Sequence, residues 1–284
     1  MPELPEVETV CRTLRRHVVG QAIHAVEVAQ PALRWQVDVP SLLKNACGKT
    51  IVAVRRRAKY ILMDLAGAQG QPQTVLAVHL GMSGILRVQP SGAPRRRHDH
   101  VILALGQGDG ALEVRFNDPR RFGSVHSFEA CHEAAHPLLA HLGPEPLHAD
   151  AFDGAYLHAQ CQRKSCCIKQ AIMDARVVVG VGNIYASEAL WRSGISPRMA
   201  ARRLSRPRAA LLARAIVDTL QDAIGQGGTT LRDFTDANAQ AGHFGQRLKV
   251  YNRASEPCET CATPVRRIVQ GNRSTYYCGV CQKA

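Results

Sequence analysis

The sequence predicts an α+β chain: an N-terminal β-sandwich-like domain with flanking helices, then a helical domain that ends in a small β-ribbon. Three observations predict it. Short apolar stretches alternating with period two crowd the first half. Three-and-four apolar spacing, the mark of buried helix faces, takes over beyond Ala155. Two Cys-x2-Cys pairs, Cys258/Cys261 and Cys278/Cys281, then close the chain.

At 284 residues, two domains are expected rather than one. Lys and Arg number 36 against 23 Asp and Glu, a formal charge of +13. That balance points to a polyanionic partner, nucleic acid first. No apolar run is long enough to span a bilayer. The N-terminus lacks the basic-then-apolar order of a signal peptide. A cytoplasmic location is therefore expected, where the ten cysteines serve as thiols or metal ligands.

The first element is a helix. Val7, Val10, Cys11, Leu14 and Val18 recur on one face, Pro5 suits the helix opening, and Glu6 and Glu8 complement its dipole. Two readings of the opening residues stand side by side. They start a helix and nothing more, or Pro2 becomes an amine nucleophile once Met1 is removed. An α-amino group has a reference pKa of about 7.7–8.0, so it needs less depression than lysine to react. A secondary amine gives an iminium that stays cationic, and Glu3 beside it offers an acid.

Eight strands follow, at 24–28, 51–54, 61–65, 75–80, 85–88, 101–105, 112–116 and 124–128, with a helical run at 40–47 between the first two. Charged and glycine-bearing turns separate them. Arg55–Tyr60, Arg95–His100 and Asn117–Gly123 stand out, each readable as a solvated or structural turn or as a phosphate or base contact, and His79–Gly84 reads as a tight turn that presents Met82 outward or as one that packs it into the core. The segment 142–146, Leu-Gly-Pro-Glu-Pro, marks a domain boundary. Helices are expected at 155–163, 165–174, 184–193 and 207–226, and a hairpin at 264–277. Gly180 and Gly182 precede one helix and expose backbone N–H groups to phosphate, but no lysine and serine follow as in a P-loop. Sixteen residues separate Cys261 from Cys278. Four thiolates at this spacing make a closed, tetrahedral, structural zinc site.

Met1–Thr9, MPELPEVET, resembles the opening of the formamidopyrimidine-DNA glycosylase family, bacterial repair enzymes for oxidised guanine. Further motifs agree in order: R-R-x-K-Y at 56–60, H-D-H at 98–100, D-P-R-R-F-G at 118–123, the 142–146 linker, V-G-V-G-N-I-Y-A-S-E at 179–188, G-G-T-T-L-x-D-F at 227–234 and R-x-T-x-Y-C at 273–278. The resemblance implies a catalytic β-sandwich domain over 1–134, a linker over 135–153, a helix–two-turn–helix DNA-binding domain over 154–250 and a zinc finger over 251–284. It implies that Pro2 is the nucleophile, Glu3 the acid, Lys59 and Arg273 catalytic, and Glu6 supporting. His98, Arg120, Lys164 and Asn183 would contact DNA, with Lys164 preferred over Lys169. Met82 and Phe122 would enter the base stack, and the loop at 236–246 would close over an extruded base. The implied reaction is excision of oxidised purines followed by β,δ-elimination, by a monomer acting on duplex DNA. Ser165, Cys166 and Cys167 depart from the family pattern. A sister glycosylase for oxidised pyrimidines and a non-enzymatic zinc-finger protein are the rival readings. An N-terminal-proline tautomerase fails on size, charge and the zinc ribbon.

Overall fold

A computed structural model describes residues 2–68, 70–148, 150–229 and 244–284. It divides into two compact units, residues 1–140 with 227–243, and residues 141–226 with 244–284. The expected loop at 236–246 falls largely outside the described residues, as do Thr230–Phe234 of the G-G-T-T-L-x-D-F motif.

In the first unit, helix α1 (Leu4–Val18) buries Leu4, Val7, Val10, Cys11, Leu14 and Val18 completely. This is the face its apolar period predicts. Strand β1 (Ile23–Val28) and helix α2 (Val39–Ala46) follow, then β2 (Thr50–Arg57), β3 (Tyr60–Ala66), β4 (Pro72–His79), β5 (Ile85–Pro90), β6 (Asp99–Leu105), β7 (Leu112–Asn117) and β8 (Ser124–Glu129). All eight expected strands and the interrupting helix are present. They form two four-stranded antiparallel sheets, ordered β1-β6-β7-β5 and β2-β3-β4-β8. Side chains from both sheets share one core with α1, including Ile51, Ile61, Met63, Leu76, Leu103, Val114 and Phe116.

Register decides what lies at the ends of these sheets. In one sheet Arg57 pairs with Tyr60, Tyr60 with His79, and His79 with Ser124. In the other, Ile85 and Asp99 both pair with Asn117. The 80–84 and 118–123 connections each pass from one sheet to the other beside those pairs. His98 immediately precedes β6. The sequence motifs are scattered between residues 56 and 123, but antiparallel pairing gathers them at strand ends.

The second unit holds helices α3 (Gly154–Gln162), α4 (Ile168–Met173), α5 (Asn183–Arg192) and α6 (Arg206–Gly225), and the hairpin β9 (Arg266–Gln270) and β10 (Arg273–Tyr277). Gly154 lets α3 approach α6, because a Cβ there would lie 2.5 Å from the Ala210 Cα. The helix expected from Ser165 starts only at Ile168. Cys167 instead bridges to Ala200, and the Ile168 N–H bonds the Met199 carbonyl. That pairing removes the first turn which apolar spacing alone would extend. In the first unit, a 3₁₀ turn at Ala130–Ala135 follows β8 where the sequence pattern gave no element. Glu188 of α5 is buried and accepts from the N–H groups of Lys249, Val250 and Tyr251 at 2.8, 3.0 and 2.8 Å. The carboxylate fixes the strand of chain that leads into the hairpin.

Candidate active site

Pro2 and Glu3 are both buried. Glu3 is the N-cap of α1, and Glu6 completes a capping box, its Oε2 accepting from the Glu3 N–H at 2.8 Å. The other Glu6 oxygen, Oε1, accepts from the N–H and hydroxyl of Thr229 at 2.8 and 2.9 Å. Glu6 is 2% exposed, so both oxygens are satisfied inside the protein. Gly228 permits this contact, since its φ is +81° and a Cβ there would lie 3.0 Å from Glu6 Oε1. The structure thus brings Glu3 and Glu6 together and adds Thr229, which motif reading did not single out.

Lys59 sits in the two-residue turn between β2 and β3, next to Ala58 at φ +54°. Its charge acts on His79, whose ring lies 4.9 Å from that of Tyr60. Burial, then the cations Lys59 and Arg34, hold His79 down at about 4. The neutral ring uses Nδ1 to accept the Gly81 N–H at 3.0 Å, steadying the turn that carries Met82.

Met82 and Phe122 are 40% and 44% exposed, so both turns leave an apolar side chain facing outward. The Arg120 guanidinium stacks 4.8 Å from the centre of the Phe122 ring. His98 is half-buried, 5.9 Å edge-on from His100. These four candidates therefore belong to one end of the sheets. Asp118 and Ser83, which lie inside the motif stretches but carry no role there, are buried among them. Their sequence signal is membership of D-P-R-R-F-G and of the Gly-Met-Ser-Gly turn, which does not say what their side chains bind.

In the second unit Asn183 opens α5 directly after Gly182. Lys169 is 1% exposed, and its Nζ donates to Asn183 Oδ1 at 2.5 Å, Thr275 Oγ1 at 2.7 Å and the Ser274 carbonyl at 3.3 Å. Asn183 Nδ2 also donates to the Ser274 carbonyl, at 2.9 Å. Asn183 is thereby tied to β10, the strand that begins at exposed Arg273. Lys164 instead pairs with Asp174 Oδ2 at 2.7 Å.

The four cysteines of the hairpin lie with their sulfurs all within 4.8 Å of one another. Cys258 and Cys281 approach to 3.9 Å, and Cys261 and Cys278 to 3.4 Å. A tetrahedral zinc with bonds of about 2.3 Å sets its sulfurs about 3.8 Å apart, so the donor set fits. None of the ten cysteines forms a disulfide.

Three family models match in order: the formamidopyrimidine-DNA glycosylase N-terminal domain over residues 1–125, the H2TH domain of that glycosylase over 142–235, and a zinc finger found in FPG and IleRS over 255–284. The chain belongs to the formamidopyrimidine-DNA glycosylase family. Members from Thioalkalivibrio sulfidiphilus and Syntrophotalea carbinolica are 50% and 52% identical over the whole of both chains. Among solved structures, the Lactococcus lactis Fpg in complex with DNA containing an abasic site superposes with a TM-score of 0.89, at 32% identity over 99% of this chain and 100% of that one. The Thermus thermophilus MutM (FPG) protein gives 0.86, at 37% identity over 99% and 98%. The two-sheet domain, the helical H2TH domain and the four-cysteine zinc finger are therefore those of the formamidopyrimidine-DNA glycosylase fold. Among the described residues, no helix is long and apolar enough to cross a membrane.

Proposed function

We propose that this chain carries out the family's reaction with Pro2 as nucleophile and Glu3 as acid. The activity is that of a DNA glycosylase and AP lyase acting on oxidised purines. With Met1 removed, the Pro2 nitrogen attacks the sugar C1′, the bond from C1′ to the base breaks with its electron pair leaving on the base, and the base takes up the proton that the Pro2 nitrogen gives up. Glu3 protonates the ring oxygen as the sugar opens, and the iminium forms. The cationic iminium acidifies C2′. Loss of that proton expels the 3′ phosphate, a second elimination expels the 5′ phosphate, and hydrolysis of the iminium releases Pro2.

The observation that carries this reading is the Glu3–Glu6 capping box. It pins a buried Pro2 and Glu3 at the start of a packed helix, where a free terminus is ordinarily mobile. Glu6 supports the arrangement through Thr229. Lys59 supplies a cation that disfavours protonation of a nearby amine. Met82 and Phe122 fill the gap left by the extruded base, and Arg120 meets the base opposite. His98 and Lys164 contact the DNA, Asn183 its backbone, and Arg273 the phosphate at the lesion. Cys258, Cys261, Cys278 and Cys281 would hold the zinc, which would close the finger as a structural ion, since all four ligands are thiolates. The protein acts as a monomer in the cytoplasm, where its cysteines would serve as thiols or metal ligands.

Borohydride trapping on a duplex with 8-oxoguanine opposite cytosine, mapped by mass spectrometry, tests the assignment. An adduct on Pro2 is expected. An adduct on any other residue, or none with cleavage intact, overturns it.

A further inference from the structure

We propose that Asp118 and Ser83 are positioning residues that fasten the Met82 turn, the Arg120–Phe122 turn and the His98 segment into one rigid base-probing unit. The proposal rests on the reading that Met82, Arg120 and Phe122 enter the DNA.

Asp118 is fully buried, and a buried carboxylate persists only where donors surround it. Its Oδ1 accepts from Ser83 Oγ at 2.7 Å and from the Arg120 N–H at 3.3 Å. Its Oδ2 accepts from the Gly123 N–H at 2.7 Å. The Asp118 N–H donates to the His98 carbonyl at 3.1 Å, and its own carbonyl accepts from His100 Nε2 at 2.8 Å. Ser83 Oγ gives its proton to Asp118 and accepts the Arg120 N–H at 3.3 Å. One residue thus touches all three segments that bear the DNA-facing candidates.

The turns also meet backbone to backbone. Gly81 has φ +65°, and a Cβ there would lie 2.3 Å from the Phe122 carbonyl carbon. This contact sets the two turns side by side, while the Ser83–Asp118 bond stops them sliding. An apolar wedge must hold its place against base steps that cost a few kcal/mol to unstack. A turn free to yield would retreat instead of opening the stack. The same bonds fix the Arg120 backbone, so its guanidinium meets the opposite base in one orientation. Ser83 and Asp118 then govern opposite-base selectivity without touching DNA.

Single-turnover assays on Ser83→Ala, Ser83→Thr, Met82→Ala and Phe122→Ala test the proposal. Each variant is measured on 8-oxoguanine opposite cytosine, on 8-oxoguanine opposite adenine and on a preformed abasic site. Losing a hydrogen bond to a buried charge, Ser83→Ala should slow excision about tenfold or more and narrow the cytosine–adenine preference. Abasic-site cleavage should stay within about twofold, because no base remains to be unstacked. Ser83→Thr, which keeps the hydroxyl, should restore both excision and preference. Equal losses on lesion and abasic substrates, or failure of threonine to rescue, would reduce the pair to a general structural role. Full excision by Ser83→Ala alongside impaired Met82→Ala and Phe122→Ala would refute the fastening alone. Unimpaired Met82→Ala and Phe122→Ala would overturn the wedge reading, and the fastening with it.

Discussion

Glu6 and Thr229 stand 223 positions apart, yet the Glu6 carboxylate accepts both the backbone N–H and the hydroxyl of Thr229. The same carboxylate caps Glu3 through its second oxygen. Helix α1 opens with one side chain that closes its own first turn and anchors the 227–229 segment. Glu6→Gln replaces an acceptor oxygen with a donor facing donors. The cost should be about 1–3 kcal/mol in stability. Excision should fall at least as far as stability does, because Glu3 loses its cap. Thermal melting and single-turnover excision measured on one preparation check both.

Glu3→Gln keeps the side-chain shape but cannot give up a proton. Lesion DNA should still bind, while turnover drops by about 10²–10⁴, the usual worth of general acid–base help. Gel-shift affinity and strand scission, measured together, separate binding from chemistry. Undiminished scission would remove Glu3 from the acid role.

Lys169 is buried and donates to Asn183, Thr275 and the Ser274 carbonyl. Lys169→Met fills the space but takes the donor from Asn183 Oδ1 and Thr275 Oγ1, so the second unit should lose about 1–3 kcal/mol or more. Asn183 should also lose its orientation, weakening affinity for damaged and undamaged duplex alike. Denaturant melts and fluorescence anisotropy are the measurements.

Cys258→Ala removes one of the four clustered thiols. A three-sulfur site binds zinc more weakly, and the hairpin carrying Arg273 should loosen. Zinc stoichiometry by atomic absorption should fall together with DNA affinity. A strong chelator should reproduce the effect in the unaltered protein, and added zinc should reverse it.

His79 is held at about 4, below the ordinary histidine value, mainly by burial. The unfolded chain therefore binds the extra proton first on acidification. The stability from neutral His79 is complete above about pH 6.5 and declines as the pH falls toward 4, by at most about 3 kcal/mol. Protonation at Nδ1 would also displace the Gly81 N–H and free the Met82 turn. His79→Asn should flatten the acid limb of the stability profile, measured by melting from pH 7 to pH 4.5.

Much of the fold was legible because its signals are local. Period-two alternation located all eight strands, and the α1 face buried the five residues its spacing picked out. The cysteine pairs announced their metal by spacing alone. The start of α4 was not legible, since apolar spacing extends back to Ser165 while the Cys167–Ala200 bridge holds the helix off until Ile168. The engagement of Lys164 with Asp174 was equally hidden, because a basic residue in a motif does not reveal which acid the fold brings near it.

By itself, then, the sequence determined the elements, the zinc ligands and the family motifs, for each depends on residues close together in the chain. Only the tertiary structure decided that Asp118 would join Ser83, His98 and Gly123, that Lys169 would hold Asn183 against β10, and that Glu6 would reach Thr229. Each of these buries a charged or polar group that has to find partners out of water. The partner is whichever group antiparallel register and helix packing deliver, at any distance along the chain.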